Sequence, residues 1–325
     1  MRAITYQSYG PPSVLRIREV PEPVPKDHEI LVRVRAAEAT KSDCEMRRCK
    51  FSVKWFWLPI RIALGVRNPR REVLGFYFSG EVEAVGSAVR DFAIGDAVYG
   101  TTGFGFGAYG ELVAVPATHP IGPKPSNMTF AAAAALPLGG LNALHFMRRA
   151  GVEPGETVLI NGGAGSIGAY GVQIAKAMGG EVTVVDVGYK EAYARAQGAD
   201  HFIDYTREDF TARSERYDVV FDMVPDSDCA ACIRMLSPGG RYLAGNPRMS
   251  VMLRCLWVNR FTDKMATFAF AQETKAGLAD LRAMTEAGQI HSIVGQELSM
   301  DEAVEAHRLV ESEERIGAVV LRIGA

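Results

Sequence analysis

Apolar and polar side chains alternate with a period of two along residues 29–35 (EILVRVR), the pattern of a strand buried on one face. Residues 80–85 (GEVEAV) repeat it, and glycines and prolines fill the intervals, so residues 1–125 are predicted to be mostly antiparallel β. The texture changes near Thr129, where FAAAAAL predicts a helix. Short apolar runs then alternate with helical periods up to about residue 290. Strands are expected at 157–160 (TVLI), 182–186, 201–203 and 217–223 (YDVVFDM), with another starting at 241–244. Helices are expected at 170–178, 191–197 and 229–236. This β-α-β order predicts a doubly wound parallel sheet. A capping box, Ser299 with Glu302, opens a late helix, and a strand at 318–323 is expected to rejoin the first domain.

The length, 325 residues, suggests two domains: 1–125 with 291–325, and 126–290. At 48% hydrophobic and 23% charged the chain has the composition of a soluble globular protein. A formal charge of −2 provides no broad attraction for nucleic acid or anionic lipid, so neither is expected as a partner. The most apolar early stretch, residues 55–66, is interrupted by Pro59 and Arg61 and is far shorter than the roughly 20 residues of a membrane span. The opening MRAITYQSYG lacks the marks of a secretory signal, which makes the cytoplasm the expected location. The cysteines at 44, 49, 229, 232 and 255 are odd in number and are expected to be reduced thiols. Cys229 and Cys232 form a C-x-x-C on a predicted amphipathic helix, with no second pair or nearby histidine to complete a metal site.

The sharpest motif lies at residues 159–179, LINGGAGSIGAYGVQIAKAMG, where Gly163, Gly165 and Gly168 spell G-x-G-x-x-G between a strand and a helix. The first glycine is expected to permit the tight turn, the second to admit a pyrophosphate, and the third to let helix and sheet pack. Ser166 and Ile167 are expected to join the glycines in binding the cofactor, and the helix N-terminus beyond them offers unpaired N–H groups to phosphate oxygens. No Gly-Lys-Ser/Thr follows, which excludes a Walker phosphate loop. Asp186 ends the next strand, where an acid can take both adenosine ribose hydroxyls and repel a 2′-phosphate, a reading that favours NADH. Lys190 lies four residues on and, if it faces the phosphate, favours NADPH instead.

The stretches MRAITYQSYGPPSVLRIREVPEPVPKDHEILVRV, GEVEAVGSAVRDFAIGDAVYG, ALPLGGLNAL, NGGAGSIG, GADHFIDY and IGAVVLRI together resemble the medium-chain dehydrogenases/reductases, specifically their zinc-independent quinone oxidoreductase-like branch. The resemblance covers nearly the whole chain. It implies an α/β architecture with a GroES-like, mostly β catalytic domain and a Rossmann doubly wound parallel sheet domain, an active site in the cleft, and a homodimer formed by edge-to-edge pairing of Rossmann sheets. It also places Asn142, Val224 and Gly245 near the nicotinamide and Tyr205 near the adenosine. Zinc-dependent members carry a cysteine and a Gly-His-Glu as ligands, but the matching stretches here are Thr40-Lys41-Ser42-Asp43 and Gly75-Phe76-Tyr77, so no metal is expected.

Without a Lewis acid, hydride delivery to a quinone or an α,β-unsaturated carbonyl is the expected reaction on a small-molecule substrate. Thr40 and Tyr77 are candidate donors to a developing enolate oxygen, against the alternative that each hydroxyl is satisfied locally. Trp55, Trp57 and Phe106 are candidates for an apolar substrate wall, against ordinary packing. The six histidines have no acid or serine at a telling spacing, which leaves no hydrolase triad. Two other readings remain open: a zinc-free carbonyl or alcohol oxidoreductase using side-chain acid catalysis, and a non-catalytic dinucleotide-binding protein.

Overall fold

The computed structural model describes residues 1–51, 57–245, 248–269 and 271–324, the side chains of 57–60 excepted. The chain opens with an antiparallel ribbon, β1 (Arg2–Thr5) and β2 (Arg16–Glu19). Then come β3 (Glu29–Ala39), α1 (Lys41–Arg48), α2 (Trp57–Leu64), β4 (Tyr77–Val85), β5 (Ala97–Thr101), β6 (Leu112–Pro116) and β7 (Ile121–Pro123). Helices α3 (Phe130–Ala134) and α4 (Leu136–Ala150) lead into β8 (Thr157–Asn161), α5 (Ser166–Ala177), β9 (Glu181–Asp186), α6 (Glu191–Ala196) and β10 (His201–Asp204). The alternation continues with β11 (Tyr217–Asp222), α7 (Cys229–Arg234), β12 (Leu236–Ala244), α8 (Met249–Phe261) and β13 (Met265–Phe268). The chain ends with α9 (Lys275–Glu286), β14 (Val294–Ser299), α10 (Ala303–Ser312) and β15 (Ala318–Arg322).

Two compact units result: Met1–Pro137 with Thr274–Glu286 and Ser292–Ala325, and Leu138–Glu273 with Ala287–His291. The first unit therefore runs past the residue 125 boundary expected from the sequence and also takes in α9. The alanine run explains the first difference, since Ala134 and Ala135 pack against Ala36 of β3 and Ala318 and Val320 of β15. The second follows from Tyr99, whose hydroxyl donates to the Leu278 carbonyl at 2.7 Å and ties α9 to β5.

In the first unit the strands run β14-β15-β3-β4-β5-β7, with β6 also on β3. β3 serves three neighbours because it is 11 residues long: β4 pairs along one edge, with register shifts between Leu31 and Val32 and between Val34 and Ala36, while β6 takes residues 29–33 and β15 residues 36–39 of the other. In the second unit the described strands run β10-β9-β8-β11-β12-β13, every pair parallel. This is the order of a dinucleotide-binding sheet, with the ligand side at the C-terminal strand ends. Strands β8, β9 and β11 carry near-continuous buried runs, as expected of parallel strands inside a sheet.

Four elements differ from expectation. α5 starts at Ser166 rather than Tyr170, because Gly168 and Gly171 sit inside the helix where it must lie close to the sheet. β12 starts at Leu236 and runs through Pro238-Gly239-Gly240, with an irregular register opposite β11, where a turn was expected. α8 and β13 had no sequence signal of their own. Leu253, Leu256, Trp257 and Phe261 of α8 are exposed, which hides the helical period that burial normally imposes.

The first unit buries several charges. Arg47, fully buried, is ion-paired with Glu311. Glu38 on β3 is also fully buried, and neither carboxyl oxygen has a hydrogen-bond partner among the described residues. Burial pushes its carboxyl up to about 8, against the pull of Arg315 and with the repulsion of Asp43. Since an unfolded glutamate titrates near roughly 4.3, stability is full below that value and is lost as pH rises through about 8. We expect Glu38→Gln, which cannot ionise, to outlast wild type in urea melts at about pH 9. Its advantage there should exceed that at about pH 6 by on the order of 2 kcal/mol. Parallel pH profiles for the two proteins would show that Glu38 folds ionised.

Candidate dinucleotide site and active site

The glycine turn joins β8 to α5 in the second unit. The sharp bend falls on Gly162, at φ +79°, and not on Gly163 as the motif suggests. Gly163 is needed for packing instead: a Cβ there would sit 2.8 Å from both methyls of Val184. Gly165 caps α5, and a Cβ on it would meet only the Gly162 carbonyl oxygen, at 3.2 Å, so the turn stays open above it. At Gly168 a Cβ would lie 2.2 Å from that same oxygen, which no side chain tolerates. The turn thus rests on the first turn of α5. Ser166 and Ile167, half-buried, begin a helix whose first N–H groups have no intrahelical partner, the feature that suits a pyrophosphate.

Asp186 ends β9 beside this turn, yet its carboxylate is already engaged. Oδ2 accepts the Ala164 N–H at 3.0 Å and Oδ1 the Val187 N–H at 2.9 Å. The Lys190 ammonium lies 3.6 Å from Oδ1, and both side chains are about nine-tenths buried. The acid therefore fastens the glycine turn and lies beside a lysine, so part of the accepting capacity that a ribose would use is already taken. Tyr205, exposed at the end of β10, donates its N–H to the Asp186 carbonyl at 3.3 Å. Tyr189, also exposed, has the Lys190 ammonium 5.7 Å from its ring centre.

Farther along the same strand ends, Asp222 is a residue that sequence reasoning missed. Its buried carboxylate accepts from Asn161 Nδ2 at 2.9 Å, Tyr242 Oη at 2.8 Å, the Val224 N–H at 3.1 Å and Ser227 Oγ. Burial raises its pKa, and these four donors oppose the rise. Val224 is exposed above it, and Gly245 donates its N–H to the Asp222 carbonyl at 3.0 Å. A Cβ on Gly245 would come within 2.3 Å of Met223 Sδ, so that thioether would have to move aside for any side chain there. Asn142, half-buried on α4, spends one amide proton on the Leu138 carbonyl at 2.8 Å. The available signal was an acid closing a buried apolar strand, YDVVFD.

In the first unit Thr40 is fully buried and caps α1. Its hydroxyl donates to Asp43 Oδ2 at 2.5 Å and accepts the Asp43 N–H at 3.1 Å. Thr40 is thereby corrected: its proton is committed to Asp43 and does not face a substrate. Asp43 also accepts the Gly75 N–H at 3.0 Å, and burial lifts its pKa to about 6 against these hydrogen bonds and one from Tyr109. Phe76 and Tyr77 are largely buried, with Phe106 edge-on to Phe76 at 4.9 Å between ring centres. Phe106 has φ +55°, an uncommon left-handed backbone for a bulky side chain. Phe104 is exposed and 6.5 Å from Phe76. Trp55 lies outside the described residues, as does the side chain of Trp57.

His307 gains partners that no spacing revealed: Cys44 Sγ at 3.4 Å and Tyr109 Oη at 3.2 Å. Burial depresses His307 to about 3 and pushes Cys44 up to about 12, so both stay neutral and the pair is no nucleophile.

Residues 26–126 match the family described as alcohol dehydrogenase GroES-like domain, and residues 197–321 match zinc-binding dehydrogenase. A quinone oxidoreductase of Pseudomonas aeruginosa is 30% identical over 98% of this chain and 99% of its own length. An NADPH-dependent alkenal/one oxidoreductase of Arabidopsis thaliana is 32% identical over 75% of this chain, which spans only 62% of that plant protein. The solved quinone oxidoreductase of Coxiella burnetii superposes with a TM-score of 0.87 at 30% identity, covering 100% of this chain and 99% of that one. Among the described residues no group of three or more His, Cys, Asp or Glu side chains is placed to hold a metal ion. With its GroES-like sheet, its parallel dinucleotide-binding sheet and a full-length bacterial relative at this identity, the chain belongs to the medium-chain dehydrogenase/reductase superfamily, on its quinone oxidoreductase-like side.

Proposed function

We propose that this protein is a zinc-independent, NADPH-dependent reductase of quinones or α,β-unsaturated carbonyls. The observation that carries the reading is the donor set in the first unit. Where zinc-dependent relatives have a thiolate and an imidazole, Thr40 gives its proton to Asp43 and Phe76 offers only a ring. This set does not fit zinc. An alcohol then has no Lewis acid to ionise it, whereas an enone or quinone is electrophilic already. When bound, the dinucleotide supplies the hydride. The chain holds the pyrophosphate at Gly165, Ser166, Ile167 and Gly168, backs the nicotinamide with Gly245, Val224 and Asn142, and offers Phe106, with Phe76, as an apolar surface for a flat acceptor. Trp55 and Trp57 remain candidates for the same surface on the sequence alone. Tyr77 is the hydroxyl we assign to protonating the reduced product.

The choice of NADPH rests on Lys190. The ammonium beside Asp186 balances the charge that would otherwise repel a 2′-phosphate, and Tyr205 and Tyr189 stand exposed at the same strand ends to flank an adenosine. The cofactor named for the Arabidopsis thaliana relative supports this reading over NADH. We also propose a homodimer, supported by β13, which ends the sheet order of the second unit, and by the exposed Leu253, Leu256, Trp257 and Phe261 of the neighbouring α8. No helix among the described residues is long and apolar enough to cross a membrane, and a cytoplasmic location remains part of the proposal.

The purified protein is expected to consume NADPH with phenanthrenequinone or a simple enone, to contain less than one equivalent of zinc, and to keep its rate in chelator. Tyr77→Phe should lower kcat by about tenfold, or 1.4 kcal/mol, without weakening NADPH. Binding of NADPH without turnover on any acceptor, or a tight zinc lost together with activity, would sink the proposal. In titrations, Lys190→Ala should weaken NADPH about tenfold more than NADH; equal losses would return the preference to Asp186. Light scattering should give twice the chain mass, and a charge at Trp257 should shift the protein toward monomer.

A further inference from the structure

The ribbon of β1 and β2 borders a cavity in the first unit that belongs to neither the glycine turn nor the residues around Thr40 and Phe76. In the ribbon Thr5 pairs with Arg16 and Ala3 with Arg18, so the two arginines, two residues apart on one strand, share a face. With Ser8, Ser13 and Val14 they line a hollow of about 320 Å³, at the small end of the roughly 300–1,000 Å³ of small-molecule sites. The lining holds two guanidinium groups, the hydroxyls of Thr5, Ser8 and Ser13 and the Gln7 amide, and no carboxylate.

Much of this wall is fixed by the chain itself. Pro11 and Pro12 lead into a 3₁₀ turn at Pro12–Val14, closed by the Val14 and Leu15 N–H groups on the Pro11 and Pro12 carbonyls at 3.0 Å each. Gly10 allows the approach, since a Cβ there would lie 2.7 Å from Val14 Cγ1. Arg16 Nη1 donates to the Ser13 carbonyl at 2.5 Å and to the Leu15 carbonyl at 2.7 Å, which pins that guanidinium to the turn. The exposed Arg18 side chain has no hydrogen-bond or ion-pair partner among the described residues. Glu72, which Gln7 Nε2 meets at 3.4 Å, is outside the lining.

We propose that this cavity binds the phosphate group of a small phosphomonoester. A guanidinium presents a planar fork that matches two phosphate oxygens, and Arg18 is free to supply it. Arg16 adds the second positive charge, and the serine hydroxyls donate to the remaining oxygens. With a formal charge of −2 the chain as a whole does not attract anions, so the attraction is confined to this hollow. The hollow is larger than a phosphate group, and Val14 gives the organic part of the ligand an apolar wall. The site is independent of the dinucleotide reading.

The test titrates the full chain with phenyl phosphate and with inorganic phosphate by calorimetry at fixed ionic strength, and follows hydrogen exchange by mass spectrometry. Phenyl phosphate should bind saturably, about threefold or more tighter than the inorganic ion, and protect amides within residues 5–18. Arg18→Gln should weaken it about tenfold without lowering the melting temperature, and Arg18→Lys should restore only part, because an ammonium cannot form the fork. NADPH oxidation should be the same in Arg18→Gln and wild type, so failure of the proposed function would leave this result standing. Absence of binding, or protection confined to other segments, would overturn the site. So would phenyl phosphate that NADPH displaces and Arg18→Gln leaves unchanged, which would locate it at the glycine turn. Inorganic phosphate binding as tightly as phenyl phosphate would overturn the phosphomonoester in favour of the free ion.

Discussion

A hydrogen on Gly168 faces the Gly162 carbonyl oxygen where even a methyl carbon would come within 2.2 Å, and that near-contact sets the position of α5 against its sheet. Backbone lies on backbone, so the helix start is brought close to the C-terminal end of β8, which pairs with β11 as far as Asn161 and Asp222. Asp186 secures the other side of the turn through Ala164. Positioned this way, the helix start can meet a phosphate with little reorganisation, and the remaining contacts of the second unit follow from the strand order.

Electrostatic control in the first unit comes from burial more than from pairing. Asp43 organises Thr40, Gly75 and Tyr109, and its neighbours Glu38, Cys44 and His307 are all biased toward their neutral forms. Charge in this region is limited by protonation, with Arg47 and Glu311 as an internal ion pair.

Much of this was legible in the sequence where the determinants are local. The strand, glycine turn and helix at 157–177 follow from apolar period and glycine placement, and the capping box at Ser299 from a three-residue spacing. Thr40 and Asp43 have the same spacing, so their mutual satisfaction was readable too, although resemblance to a ligand position pointed to chemistry instead. What stayed hidden depends on distant strands meeting. The donors to Asp222 come from β8, from β12 and from the segment before α7, and Cys44 meets His307 across most of the chain. α8 was missed because its large apolar residues face outward, where a burial-based pattern does not look for them.

The placement of β15 has a consequence for how the chain comes to be folded. It lies between β14 and β3, and its residues 319–322 pair with Ala39, Glu38, Ala37 and Ala36 of a strand made long before it. As the chain grows from its N-terminus, the strands of the second unit acquire their partners from one uninterrupted stretch. That unit can settle while the first still presents an open, apolar edge at 36–39. Glu38 lies in the middle of that edge, in water until β15 arrives to cover it, and burial then raises its carboxyl pKa.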